Sequence, residues 1–231
     1  MQITAPAYRA RITDYDGTTS VRTYTALEAD ALILTALWDE DRVEVDADRS
    51  GRLTLTRTIT GHRSALDTER RTLHRTIRLE PVRRPRTLTG RQYADLALIL
   101  ARDDRGGARL SDGRIRVGIV SVPPAAAARL LANGWLTAER DHTVTVSCAG
   151  RIAMALHEHQ AETGVMGTDK WIVDAFGVGE WALGPSLYLV RCSCGHRDGR
   201  RYDDRAMAQR AARRHRLAHL RAALDLPPLR P

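Results

Sequence analysis

The 231-residue sequence predicts an α+β fold in three parts, at residues 1–87, 88–162 and 168–231. Several stretches alternate apolar and polar residues, which is typical of half-buried strands, and others repeat apolar residues every three or four positions, which is typical of helices. Two short stretches with the composition of linkers, 84–90 and 161–169, separate the parts. We therefore expect an N-terminal α+β module, a helix-rich middle domain and a C-terminal unit of strands followed by a helix.

The N-terminal module, residues 1–87, is predicted to combine strands with one helix. Residues 7–15 alternate as a strand does, and the Asp16-Gly17 turn signal introduces a second strand. A strand, a turn and a strand are expected over 41–59, and 71–82 is compatible with one more strand. The predicted helix, 26–40, has apolar residues at helical spacing, namely Leu27, Ala31, Leu34 and Trp38.

The middle domain, residues 88–162, is predicted to run helix, turn-rich link, helix, hairpin and helix. The link, 106–122, contains many turn residues and is expected to hold one short strand. The second helix is well delimited, because Ser121 can cap its start, prolines suit its first turn and Gly134 suits the position after its end. Two short strands then flank Arg140-Asp141, and the closing helix ends in "HEHQ", which we interpret as a solvated tip.

The helix ending "RLLANGWL", the hairpin "TAERDHTVTVS" and the helix "GRIAMAL" resemble a winged helix-turn-helix domain. In that family the helix before the wing usually enters the major groove of double-stranded DNA. The resemblance therefore implies a DNA partner, with Arg129 on the helix and Arg140 at the wing tip as candidate contacts. Four consecutive alanines in the helix favour packing against protein instead, so a docking platform, for example in a homodimer, is the alternative.

The C-terminal segment "VRCSCGHRDGRRYDDRAMAQRAARRHRLAHL", residues 190–220, brings together cysteine and histidine. If Cys192 and Cys194 continue a strand, both thiols face the same side, and His215 and His219, four apart, share one helix face. Small alanines on that face would let the helix lie close to the cysteines. Two thiolates and two imidazoles could then bind a tetrahedral zinc ion, and four protein ligands indicate a structural rather than a catalytic site.

This segment resembles a Cys2His2 zinc finger, as found in actinobacterial DNA-binding or mobile-element proteins. The His-x3-His half matches the family, whereas one residue separates the cysteines and 20 residues separate Cys194 from His215. That departure leaves the ligand set open, and His196 could replace one of the helix histidines. A metal-free packing site and a Cys-x-Cys redox pair are the other interpretations. Cys148 is expected to be a small buried residue outside the site.

The positive charge of the chain is concentrated in its C-terminal unit. The formal net charge is +8, yet 35 of the 36 basic residues are arginine, and with abundant alanine this is typical of high-GC coding, as in actinobacteria. Residues 191–221 alone hold ten basic and three acidic residues. Local positive charge sets the strength of phosphate contacts. The predicted contacts in this unit are Arg197, Arg200, Arg201, Arg205, Arg210, Arg213 and Arg214.

The familiar enzyme motifs are absent, since the sequence has no Walker loop, no GxSxG, no HExxH and no dinucleotide fingerprint. It also has no run of about 18 apolar residues and no apolar signal-peptide core, so we expect a cytoplasmic protein without membrane contact. The leading hypothesis is a DNA-binding accessory or regulatory protein, not an enzyme, with a structural zinc site. The alternative is a protein–protein adaptor in which the zinc unit is purely structural.

Overall fold

A computed structural model gives the architecture, which combines five helices with antiparallel sheets among the described residues and confirms the α+β class. The chain divides into two compact units, residues 1–157 together with 220–231, and residues 158–219. Among the described helices, none is long and apolar enough to cross a membrane. The described residues are 7–37, 43–47, 52–61, 71–82, 87–102, 107–139, 141–166, 170–173, 179–182, 187–198 and 200–226.

The N-terminal part of the first unit is a five-stranded sheet with one helix. Strand order in the sheet is β2-β1-β5-β4-β3, with every neighbouring pair antiparallel. Thr25 and Glu28 start the helix with a reciprocal cap, in which each backbone amide donates to the other's side chain. The elements are β1 (Tyr8–Thr13), β2 (Thr19–Tyr24), α1 (Ala26–Leu37), β3 (Val43–Ala47), β4 (Leu53–Gly61) and β5 (Arg71–Pro81).

Helix α1 buries a different stripe from the one that its sequence pattern suggested. Ala29, Ile33 and Leu37 are buried, whereas Leu27 and Leu34 are 48% and 57% exposed. Ala31 is also exposed, and Trp38 lies outside the described residues. Because the helix is apolar along two stripes, spacing alone cannot decide which stripe faces the sheet. The consequence is an apolar stripe on the outer side of α1.

The middle of the chain forms a second five-stranded sheet with three helices. Strand order is β8-β7-β6-β10-β9, again antiparallel. The predicted link contains three strands, not one, joined by tight turns such as Asp112-Gly113, where both residues have positive φ. Each of these strands has only three or four residues, and β7 alternates, with Ile115 and Val117 buried. The elements are α2 (Gly90–Leu100), β6 (Ala108–Ser111), β7 (Arg114–Val117), β8 (Val120–Val122), α3 (Pro124–Ala132), β9 (Leu136–Ala138), β10 (Thr143–Val146) and α4 (Cys148–Glu158).

A hydrophobic core joins α2 and α3 to the second sheet, with Leu96, Ile99 and Leu130 fully buried. Among the four consecutive alanines of α3, Ala127 is buried in this core, its two neighbours are half-buried and Ala125 is exposed.

The N-terminal and middle parts of the first unit are connected by three specific contacts. The buried Tyr8 hydroxyl donates to the carbonyl oxygen of Asn133 at 3.4 Å. Gly134, at φ +70°, lies so close to the Tyr8 ring that an added Cβ would be 2.7 Å from it. Asp30 on α1 accepts the first amide of α4, from Cys148, at 2.6 Å. These contacts explain why both parts cluster into one unit.

The second unit contains two two-stranded sheets and most of the last helix. Strand β14 pairs with β11 over its full length, so residues 161–166, predicted as a linker, form a strand instead. The last helix, predicted from about Asp203 to Leu224, is confirmed within two residues, and Asp204 caps it by accepting the amide of Ala206. The elements are β11 (Ala161–Met166), β12 (Lys170–Val173), β13 (Gly179–Ala182), β14 (Leu187–Cys192) and α5 (Arg205–Ala223).

Candidate metal centre

The two cysteines of the second unit lie on either side of the end of a strand. Cys192 is the last residue of β14 and is buried, whereas the exposed Cys194 lies in the turn that follows. The turn is tight, because the amide of Gly195, at φ +88°, donates to the carbonyl oxygen of Cys192 and the amide of Cys192 donates to that of His196. A turn, rather than a continued strand as predicted, therefore brings the two thiols together.

Helix α5 presents its small residues to this turn-and-strand region, as its alanine pattern predicted. Ala208 and Ala212 are buried against Val190 of β14, with Tyr188 and Tyr202 at the edge of the same cluster. Small side chains allow the helix axis to approach the strand closely. One turn beyond Ala212, His215 is thereby placed with its Nε2 atom 3.5 Å from the Sγ atom of Cys194.

Four side chains converge at this point, and three of them were predicted as ligands. One donor atom each from His159, Cys192, Cys194 and His215 lies within 4.8 Å of the other three. This two-histidine, two-cysteine group could hold a metal ion. It is the one group of this kind found in the part of the chain that the structure describes.

His159 is the member that sequence analysis missed, because "HEHQ" was interpreted as a solvated helix tip. It follows α4 directly and precedes β11, which pairs Ala161 with Cys192. Continuing that antiparallel register by two residues places His159 opposite Cys194. The information that identifies His159 is therefore the pairing of the strand after "HEHQ" with the strand before "CSC", which local sequence pattern does not show.

Ser193, between the cysteines, fixes the chain around His159. Its hydroxyl donates to the carbonyl oxygen of Glu158 at 2.6 Å and accepts the amide of Gln160 at 2.8 Å. Its own amide donates to the carbonyl oxygen of Gln160 at 3.3 Å. Three hydrogen bonds thus hold the backbone on both sides of His159 against the cysteine turn.

The imidazole of His159 is largely buried and has a carboxylate near one of its ring nitrogens. Its side chain is only 12% exposed, and its Nε2 atom lies 3.7 Å from the carboxylate of Glu158. Its Nδ1 atom is buried and has no hydrogen-bond partner among the described residues. A carboxylate beside one ring nitrogen favours the proton on that nitrogen and leaves the other lone pair for a metal.

Two further histidines flank the group of four. His219, a predicted ligand, stacks on His159 with 3.4 Å between ring centroids and meets His215 edge-on at 4.6 Å. His196, the predicted substitute, stacks on His215 at 4.3 Å. Neither His196 nor His219 belongs to the convergent group. Each of the two histidines that do, His159 and His215, therefore has the imidazole of one of these flanking residues stacked against its ring.

Burial and neighbouring imidazoles lower the pKa values of the two histidines in the group of four, His159 and His215. Burial is the largest cause that lowers the pKa of His215, to about 4, and His196, His219 and His159 lower it further. Burial and His219 also lower the pKa of His159. Burial raises the pKa of Cys192, partly offset by a hydrogen bond from the Cys194 backbone. Neutral imidazole is the form that binds metal, and a bound cation would favour thiolate.

The predicted phosphate-contacting arginines that the structure describes lie at the surface. Arg129 on α3 is exposed, and its Nε donates to the carbonyl oxygen of Ala125 at 3.1 Å. Arg140 lies outside the described residues. Those of the C-terminal unit are all exposed, namely Arg197, Arg200, Arg201, Arg205, Arg210, Arg213 and Arg214.

Cys148, expected outside the site, is buried in the first unit. Burial, reinforced by the neighbouring Asp30, raises the pKa of its thiol to about 12. Such a thiol remains protonated and unreactive at neutral pH.

Comparison of the chain with protein-family models, with curated proteins and with solved structures gave no match.

Proposed function

We propose that this chain is a DNA-binding accessory or regulatory protein whose C-terminal unit is stabilised by one structural zinc ion. The observation that carries the proposal is the convergence of His159, Cys192, Cys194 and His215. In a tetrahedral zinc site, bonds of about 2.3 Å to sulfur and about 2.0 Å to nitrogen separate the two ligand atoms by about 3.5 Å. The distance from Cys194 Sγ to His215 Nε2 is 3.5 Å.

The donor set favours zinc over other common ions. Tetrahedral sites of two thiolates and two imidazoles are typical of zinc, whereas magnesium and calcium prefer oxygen ligands. Four protein donors complete the coordination and leave no position for a substrate or a reactive water. The ion would therefore act on stability, in a zinc-finger-like unit where the finger's second histidine is replaced by His159.

The exposed arginines of the same unit support duplex DNA as the partner. Residues 191–221 carry ten basic and three acidic residues, and the predicted contacts among them are exposed. Arginines that neutralise backbone phosphates release counterions, which gives affinity that falls steeply with salt. Contacts of this kind position a protein on DNA without reading sequence. We therefore infer weakly sequence-specific binding dominated by the C-terminal unit.

The middle of the chain would contribute a smaller share as a winged-helix-like element. Helix α3, the β9–β10 hairpin and helix α4 follow in the order of that family. Arg129 is exposed on α3, but few side chains there can read base edges. This part would add limited base readout through Arg129 and through Arg140, which lies outside the described residues.

A protein–protein adaptor is the second candidate, and the outer stripe of α1 favours it. Leu27 and Leu34 are about half exposed and lie two turns apart on one face, with the exposed Ala31 between them. A helix face of this kind is suited to a protein partner, including a second copy of the chain. In this function the zinc unit would be purely structural.

Metal analysis and a DNA titration together test the proposal. Protein purified without added metal should contain one zinc per chain. Changing Arg200, Arg201, Arg213 and Arg214 together to Ala should weaken binding to every duplex and flatten the salt slope. Zinc content should not change, because none of these four is a ligand.

The matched control removes four exposed arginines of the first unit. Its effect on affinity should be smaller, although the change in net charge is the same. Metal-free protein with a folded C-terminal unit would overturn the zinc assignment. Duplex binding unaffected by the quadruple change but abolished by Arg129→Ala would assign recognition to the middle domain, and no binding at low salt would favour the adaptor. The control residues are Arg22, Arg91, Arg109 and Arg114.

A further inference from the structure

The outer face of the N-terminal sheet carries three arginines on two neighbouring strands. Arg9 and Arg11 are exposed on β1, and Arg78 is exposed on β5. The antiparallel register places Arg11 directly opposite Arg78 and Arg9 directly opposite Glu80. Like charges directly opposite on one face of a sheet destabilise it. The arrangement therefore favours binding of an anion between the strands.

These arginines surround a concave site rather than lying on a flat surface. The concavity has a volume of about 90 Å³ and is lined by Arg9, Arg11, Val21, Arg78 and Glu80. Val21, on the other side of Arg11 in the register, is 46% exposed at its edge. Such a space accommodates a small ligand group and not a folded partner.

Within the described residues, none of the three guanidinium groups is paired with a carboxylate. Neither Arg9, Arg11 nor Arg78 makes a hydrogen bond or ion pair through its side chain within the described ranges. Glu80, the acidic member of the lining, is bound to Arg52, with 3.2 Å between Nε and the carboxylate. The lining thus carries three cations and one carboxylate that already has a partner outside it.

We propose that this concavity binds the terminal phosphate of a small phosphorylated molecule. The planar guanidinium group donates paired hydrogen bonds that match phosphate oxygens, and several groups can share one phosphate. A terminal phosphate carries nearly two negative charges at neutral pH, whereas a backbone diester carries one. The excess of two positive charges in the lining matches the terminal phosphate. The site is independent of the proposed DNA contacts in the C-terminal unit.

The test is a calorimetric titration of the full chain with pyrophosphate and with inorganic phosphate at low, matched ionic strength. The wild-type protein should bind saturably, and the ligand should raise its unfolding temperature. Arg11→Gln combined with Arg78→Gln should weaken binding by roughly tenfold or more, because two charge-assisted contacts are lost. Arg22→Gln is the matched control, since Arg22 lies opposite Ala10 and so on the other face of the same sheet.

A second measurement separates loss of the site from loss of the fold. Without ligand, the Arg11/Arg78 double variant should unfold at the same temperature as wild type or higher, because it removes a repulsive pair. If the double variant does not fold, Arg9→Gln alone should weaken binding and leave the unfolding temperature unchanged. Equal titration curves for wild type, the double variant and Arg22→Gln would overturn the proposal.

Duplex DNA distinguishes the two sources of phosphate. A short duplex should not displace pyrophosphate from the wild-type protein, and the double variant should keep the duplex affinity of the Arg22→Gln control. Competitive displacement by duplex, together with a loss of duplex affinity specific to the double variant, would make the concavity a backbone contact and refute the assignment to a small ligand.

Discussion

Replacing His159 by Ala tests whether this residue or His219 completes the metal centre. Zinc binding of about 10–16 kcal/mol, shared equally over four ligands, corresponds to about 3 kcal/mol for each. Since 1.4 kcal/mol is a factor of ten, His159→Ala should weaken zinc binding by about two orders of magnitude. His219→Ala should weaken it less, because the ring of His219 stacks on His159 and lies outside the group of four donor atoms.

The assay is competition with a chromophoric chelator, read together with thermal unfolding of the C-terminal unit. His159→Ala and His219→Ala each remove one of two stacked imidazoles, so each variant is the control for the other. His219 lies against the vacated position and can replace the lost ligand in part, so the double variant should lose more than His159→Ala alone. The reasoning is refuted if His219→Ala costs as much zinc affinity as His159→Ala, or more.

Two further predictions concern the first unit. Gly134→Ala should lower the free energy of unfolding by about 2–4 kcal/mol in urea, because the left-handed conformation is unfavourable for alanine and the new Cβ would lie 2.7 Å from the Tyr8 ring. The control is Gly113→Ala, which also has a positive φ but whose Cβ would meet its nearest neighbour at an ordinary 3.6 Å, so its cost should be clearly smaller. Equal costs for the two variants would exclude the clash with Tyr8. Burial raises the pKa of Asp30, so the folded state holds this proton more tightly than the unfolded state and stability from Asp30 is lost as pH rises through the raised pKa. Asp30→Asn keeps an acceptor for the Cys148 amide, and its unfolding free energy relative to wild type should therefore increase over that pH range; an unchanged difference across the range would contradict the raised pKa.

Much of the local structure could be predicted because it depends on local signals. The Asp16-Gly17 turn, the alternation of β1 and the span of α5 follow from residues within a few positions of one another. The stripe of α1 could not be predicted in this way, since Leu34 and Ile33 are both compatible with a core position. Only the sheet that packs on the helix decides between them.

The candidate site illustrates the same limit. Cys192, Cys194 and His215 could be found because they are metal-binding residue types at close or helical spacing, although a turn and not a continued strand brings the two thiols together. His159 could not, because its approach depends on the β11–β14 register, and 161–166 has the composition of a linker. Long-range strand pairing is a property of the folded chain that short-range periodicity does not contain.

The placement of the four donors along the chain has a consequence for topology. The second unit, Glu158–His219, interrupts the first, whose last part begins at Leu220. Closing a loop of about 60 residues costs conformational entropy that grows with the logarithm of its length. His159 and His215 lie close to the two ends of the second unit. An ion bound by both would therefore shorten the loop that the first unit has to close to a few residues, and would reduce the entropic cost of closing it by about 2 kcal/mol. Removal of the metal would then destabilise the return of the chain to the first unit, where Leu220 and Arg221, five and six residues after the ligand His215, are buried.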